Sequence, residues 1–186
     1  MSDVFFETAR LVVRAMTATD VDTFVAYRAD PDVARYQSWE DYTLERGRAL
    51  VESMHGLRPG VPGEWYQLAL EDKDSGELVG DLAACVDADE PRVMEVGFTL
   101  DPRHQGQGYG TEALLGLLTY AFGTLSLHRV FAVTDAENAA AAALLTRVGF
   151  RQEAHFVENI FFKGAWGSEL VFAMLDSDWR AIHHIV

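Results

Sequence analysis

Apolar positions alternate with polar ones in some stretches of the chain and recur at helical spacing in others, and the two periods divide it into elements. Residues 10–14 read as a first strand, an apolar, largely β-branched run bounded by arginines. Thr19 and Asp20 then cap a helix to about residue 29, which Asp30-Pro31 ends, because a residue before proline avoids the helical region. Thr43 opens a second helix to about residue 57, and the proline- and glycine-rich stretch 58–63 is a loop. Residues 65–70, 78–86 and 93–100 read as three strands, the first two joined by the turn Asp72-Lys73-Asp74-Ser75-Gly76. Leu114, Leu117, Leu118, Ala121 and Phe122 make a helical stripe over 111–123. Residues 130–134 form a strand, and 138–148 a helix stopped by Gly149. Two more strands lie within 150–174, and Asp176-Ser177-Asp178 begins a short last helix. Strand, two helices, a three-strand meander, helix, strand, helix and hairpin predict one α+β domain over 1–186 with a mixed sheet.

The stretch Gln105-Gly106-Gln107-Gly108-Tyr109-Gly110-Thr111 joins the third meander strand to the next helix. Alternate glycines allow a tight turn with unobstructed N–H groups, and the helix behind points its positive end at the same place. Strand, turn and helix N-terminus make a cradle suited to a pyrophosphate. A dinucleotide fingerprint would need glycine at 111, which is Thr111. A phosphate-binding P-loop would need a lysine after the glycines, and none follows.

The pattern that fits is Q-x-x-G-x-G, carried by Gln105, Gly108 and Gly110. It resembles the coenzyme A loop of the GNAT superfamily of N-acetyltransferases. Ala9-Arg10-Leu11-Val12-Val13-Arg14, Thr19-Asp20, Val33-Ala34-Arg35-Tyr36 and Trp39 are similar to the opening of the subgroup that acetylates ribosomal-protein N-termini. Leu127-His128-Arg129-Val130, Asn138, Val148-Gly149-Phe150, Gly164-Ala165-Trp166, Leu175 and Trp179 are similar to its second half. The resemblance implies a single GNAT domain, with a mostly antiparallel sheet splayed at its centre and flanked by helices. It implies acetyl-coenzyme A as cosubstrate, held by Gln105, Gly106, Gln107, Gly108, Tyr109, Gly110 and Thr111. The backbone of Phe98, Thr99 and Leu100 would pair with the pantetheine amides. Asn138, a good helix cap in its own right, would also contact the pantetheine arm.

Acetyl transfer needs a neutral amine, an oxyanion stabiliser and a held donor, but no metal. No metal-spaced cluster is seen, and none is expected. Glu95 is the candidate general base: Val93, Glu95, Gly97 and Thr99 share one face of the strand entering the loop. Partial burial there would raise its pKa toward a useful value. Tyr36, Trp39 and Trp65 are candidates for the acceptor pocket. Arg147 suits the helix dipole, with the adenosine phosphate as its other reading. Two superfamily groups are missing. The position of a general-acid tyrosine is Leu145 and that of a serine is Ala141, so the thiolate has no evident proton donor.

Acidic residues number 29 against 15 basic, a formal charge of -14, which repels nucleic acid and attracts cationic amines. The expected partners are an amine acceptor and a second copy of the chain, with neither nucleic acid nor membrane. No apolar run approaches the roughly 20 residues of a membrane span, and the start lacks an export signal, so the expected location is cytoplasmic. The one cysteine, Cys85, lies in an apolar run and reads as a buried structural thiol. A binding domain that holds coenzyme A without turnover is the alternative function.

Overall fold

The computed structural model describes residues 3–183. Eight strands form one sheet: β1 (Val4–Glu7), β2 (Leu11–Ala15), β3 (Trp65–Asp72), β4 (Leu78–Val86), β5 (Val93–Leu100), β6 (Arg129–Asp135), β7 (Arg151–Phe162) and β8 (Ala165–Leu175). Their order is β1-β2-β3-β4-β5-β6-β8-β7, and β5 with β6 is the parallel pair in an otherwise antiparallel sheet. The helices are α1 (Val21–Arg28), α2 (Pro31–Ala34), α3 (Leu44–Ser53), α4 (Tyr109–Thr119), α5 (Ala139–Arg147) and α6 (Asp176–His183). The expected α+β layering and mixed sheet are present.

Three local departures have physical causes. Strand β1 lies N-terminal to the first expected strand; its short run Phe5-Phe6 lacks the length to signal a strand alone. Asp30-Pro31 ends α1 as expected, yet it also starts α2: the Asp30 carboxylate accepts from the Asp32 N–H and Pro31 takes the first helical position. Asp20 is the N-cap of α1 as expected, but a 3-10 turn over Ala18–Asp20 precedes it, and the cap of that turn is Thr17 rather than Thr19. The Asp20 carboxylate turns back to the Thr17 N–H at 2.7 Å and takes Arg14 in a two-pronged pair at 2.8 Å.

The core occupies both faces of the sheet. Leu114, Leu117 and Leu118 of α4 are almost fully buried with Leu68, Leu70 and Leu82. Phe24 of α1 is buried among aromatic rings, with Tyr27 and Tyr42 edge-on to it. The α1 side is pinned by a buried charge pair. Arg28 reaches the fully buried Asp81 of β4 at 2.6 Å, Tyr27 and Gln67 donate to the same carboxylate, and the guanidinium lies 4.3 Å over Trp39. Such a fully partnered network fixes position more than it adds stability. It holds α1, and with it the following α2, against β4 at one wall of the site.

Candidate functional site

The site begins where two central strands part. Strands β5 and β6 pair at Val93↔Arg129, Met94↔Val130 and Glu95↔Phe131, and no further. Beyond Glu95, β5 keeps β4 as its partner out to Leu100, while β6 keeps β8 out to Asp135. The Asp87 N–H bonds to Val93 O and the Asp101 N–H to Val79 O. Antiparallel alternation therefore turns the backbone of Glu95, Gly97 and Thr99 toward β4, and that of Val96, Phe98 and Leu100 toward the gap. The Leu100 carbonyl is already taken by the Gln105 side chain at 3.2 Å. Val96 was not among the expected residues; only the strand register reveals it.

At the mouth of the gap lies the glycine loop. Gly106 and Gly108 have φ of 71° and 85°, a region L-residues seldom adopt. Gly110 has an ordinary φ but lets α4 approach α5: an added Cβ would stand 3.0 Å from Leu144 Cδ2. Among the described residues, the six N–H groups from Gly106 to Thr111 have no intramolecular hydrogen bond. Six free donors at the positive end of α4 form an anion site. The cavity in front of them, about 540 Å³, is walled by Phe98, Thr99, Leu100, Gln105, Gly106, Gly108, Gly110, Thr111, Asn138 and Tyr36. Asp32, Ala141, Leu144 and Arg147 complete much of the wall. A smaller hollow near β1, about 400 Å³, contains none of the loop glycines.

Gln107 and Tyr109 take another role. The Arg10 guanidinium donates to Gln107 O at 3.0 Å and to Glu112 at 2.7 Å, and lies 4.4 Å over the Tyr109 ring. Thr8 and the Arg10 N–H also donate to Glu112, each at 2.6 Å. The Tyr109 hydroxyl donates to Asp72 at 2.7 Å; that bond, with those from Ser75, holds the Asp72 carboxyl down at about 2. The loop is thus braced from behind by the β1–β2 turn and by Asp72 at the end of β3. Arg10 carried no signal of this role in the sequence, because its partners lie some hundred positions away.

Glu95 sits at the last paired position before the strands part, on the same face as Thr99. It is half-buried, and among the described residues its carboxylate has no hydrogen-bond partner. Burial pushes its carboxyl up, and the negative charge of Glu169 on β8 adds to the shift. Trp65 and Cys85 stand in the same cross-strand row. Trp65 is 47% exposed, two strands or about 10 Å from Glu95, and outside the glycine-loop cavity. Trp39 is buried instead, its indole N–H donating to the Arg28 carbonyl at 2.9 Å. Cys85 is half-buried rather than fully buried, a free thiol pushed up by burial.

Helix α5 supplies the opposite wall. Asn138 caps it, accepting from the Ala141 N–H at 3.1 Å. Asn138→Ala should cost about 1 kcal/mol in urea unfolding, whereas Asn138→Asp should cost almost nothing. Equal losses would show that the amide, rather than the cap, carries the stability. Leu145 is fully buried in the core, so the position compared with a tyrosine is remote from solvent as well as apolar. Among the described residues there is no cluster of three metal-ligating side chains, and no helix is long and apolar enough to cross a membrane.

Comparison with known proteins places this geometry among relatives. Residues 10–151 match the acetyltransferase (GNAT) domain family. The N-acetyltransferase YnaD of Bacillus subtilis is 28% identical over 173 residues, 93% of this chain and 98% of its own. The ribosomal protein uS5-alanine N-acetyltransferase of Escherichia coli is 26% identical over 118 residues, 63% of this chain and 61% of its own. The crystal structure of spermidine N-acetyltransferase from Vibrio cholerae, in complex with CoA and spermine, shares the fold. Its TM-score is 0.80 at 22% identity, covering 92% of this chain and 98% of that one.

Proposed function

The chain belongs to the GNAT acetyltransferase family, and we propose that it transfers the acetyl group of acetyl-coenzyme A to a primary amine by direct attack within a ternary complex. The observation that carries the reading is the run of unpartnered N–H groups at the glycine loop, of which those of Gly106, Gly108, Gly110 and Thr111 belong to residues lining a cavity that also takes in Phe98, Thr99 and Leu100 of β5. A pyrophosphate supplies the acceptors those donors lack. The pantetheine arm would take up the backbone groups of Val96 and Phe98 much as another strand would. From Leu100 to Glu95 the strand runs about 17 Å, which carries the arm from the loop to the point where the sheet closes.

The chemistry follows from that placement. The amine nitrogen attacks the thioester carbonyl carbon, forming the C–N bond and a tetrahedral oxyanion. A backbone N–H in the gap would stabilise the oxyanion. Glu95 accepts the amine proton, through a water molecule where the acceptor is not in direct reach. Collapse breaks the C–S bond, and the thiolate leaves. With a thiol pKa near 8.5 it needs no protein acid and takes its proton from water. Leu145 and Ala141, at the two absent superfamily groups, are consistent with such a route.

The acceptor is a protein N-terminal amine in preference to a small amine. An α-amino group, with a reference pKa of about 8, yields its proton to a carboxylate more readily than a lysine amine at about 10.4. The sequence resemblance to the ribosomal-protein subgroup points the same way. Exposed Trp65, in the same cross-strand row as Glu95 with Cys85 between them, and Tyr36 on the cavity wall, are the apolar surfaces offered to the residue behind the amine. Arg10 supports the reaction without touching it. Arg10→Ala should raise the KM for acetyl-coenzyme A by about threefold to tenfold, the scale of one lost charge-assisted contact, and leave saturated kcat near wild type. A fall in kcat at constant KM would contradict the bracing role. Thiol release assayed over a panel of peptides and polyamines tests the acceptor class. Acetylation of hydroxyl or thiol acceptors alone would overturn it.

A further inference from the structure

Positive charge is scarce in this chain and nearly all of it is engaged. Of 15 Lys and Arg residues, 11 are ion-paired. Lys163 and Arg46 donate to main-chain carbonyls, and Arg48, exposed on α3 and outside the glycine-loop cavity, has no side-chain partner among the described residues. The cations nearest the glycine loop are spent in this way. Arg10 is held by Glu112 and Gln107, and Arg103 turns back on Asp101 at 2.7 Å. Arg147 differs. It is exposed, it forms part of the cavity wall, and among the described residues it has neither an ion pair nor a hydrogen bond. No other lysine or arginine lines that cavity.

Its place along α5 matters as much as its charge. The helix runs nine residues, about 13 Å, from the Asn138 cap to Arg147. Asn138 follows the end of β6, the strand that borders the gap, and Leu144 packs on Gly110 beside the pyrophosphate loop. Arg147 is one turn past Leu144, on the side away from the gap. An extended cofactor that puts its pyrophosphate on the loop and its arm into the gap must place its adenosine at that far end.

We propose that Arg147 is the recognition residue for the 3′-phosphate of coenzyme A, a phosphomonoester site at the adenosine end of the cavity. The proposal rests on the coenzyme A reading above and goes beyond it by assigning the cation that separates coenzyme A from its dephosphorylated form. A guanidinium pairs bidentately with a phosphate. In a chain of net charge -14, a doubly charged phosphate has little else to hold it.

Calorimetry with coenzyme A and with dephospho-coenzyme A tests this, on the wild type, Arg147→Ala and Arg147→Lys. The wild type should bind coenzyme A about threefold to tenfold more tightly, the scale of one solvent-exposed ion pair, and salt should narrow the gap. Arg147→Ala should bring coenzyme A down to the dephosphorylated ligand and leave the latter unchanged; Arg147→Lys should keep part of the preference. An unchanged preference in Arg147→Ala, or an equal loss for both ligands, would overturn the assignment. If the wild type bound neither ligand, the coenzyme A reading itself would fall.

Discussion

Glu95→Gln should lower kcat by about a hundredfold or more while leaving acetyl-coenzyme A affinity unchanged, the scale and signature of a lost general base. Glutamine keeps the shape and removes the proton acceptor. The carboxyl of Glu95 is pushed up by burial and by Glu169, so the folded protein holds this proton more tightly than the unfolded chain does. Two pH effects follow. Activity of the wild type should fall on the acid side as pH drops through this raised pKa, and Glu95→Gln should lose that limb. Stability runs the other way. A carboxyl raised above its unfolded value contributes stability that is present below the unfolded pKa and lost as pH rises through the folded one. The ionised side chain is therefore a strain on the fold at neutral pH, and Glu95→Gln should raise Tm there. A variant that gains stability and loses turnover marks a residue kept for function. Normal turnover on the true acceptor, or a lowered Tm, would make Glu95 structural.

Gly108→Val should weaken acetyl-coenzyme A binding by at least ~2 kcal/mol, roughly thirtyfold. The cause lies in the backbone. Gly108 caps α4 in the left-handed region, at φ 85°, where a β-branched residue is a true outlier. A Cβ built there would meet the Arg10 guanidinium at 3.4 Å, an ordinary contact. The valine acts through the backbone. It pulls φ negative and turns the N–H groups of the loop away from a common point. Gly108→Ala should show a smaller loss by the same route. Circular dichroism separates this from unfolding: a folded Gly108→Val with unchanged affinity would remove the loop from the cofactor site.

What could be read from the sequence was set by how local each signal is. The glycine loop, the meander strands and the helix after Asn138 declare themselves within ten residues, through turn chemistry, alternation and capping. Glu95 could be placed on the same face of its strand as Thr99 because alternation is local, although it is not among the residues that line the glycine-loop cavity. The row it shares with Cys85 and Trp65 depends on register across three strands. Trp39 shows the limit from the other side. An aromatic in a family-like segment reads equally as pocket or core, and only the contact with Arg28 decides its place. The brace of Arg10, Glu112, Tyr109 and Asp72 joins residues from three separated segments, so no pattern in the chain announces it. Arg147 was visible as a helix-end cation. That it is unpaired and on the cavity wall emerges only from the folded contacts, which engage the other cations near the glycine loop elsewhere.

The most direct test of the central claim is a single turnover experiment with acetyl-coenzyme A, a peptide bearing a free α-amine, and the same peptide with that amine blocked. Thiol release and the mass of the peptide are followed together. Amine-dependent thiol release, matched by one acetyl group on the free peptide and none on the blocked one, is the expected result. A polyamine in place of the peptide distinguishes the small-amine branch of the same activity. If acetyl-coenzyme A binds tightly yet neither peptide nor polyamine provokes thiol release, the protein is a coenzyme A-binding domain without turnover, and the proposed reaction is wrong.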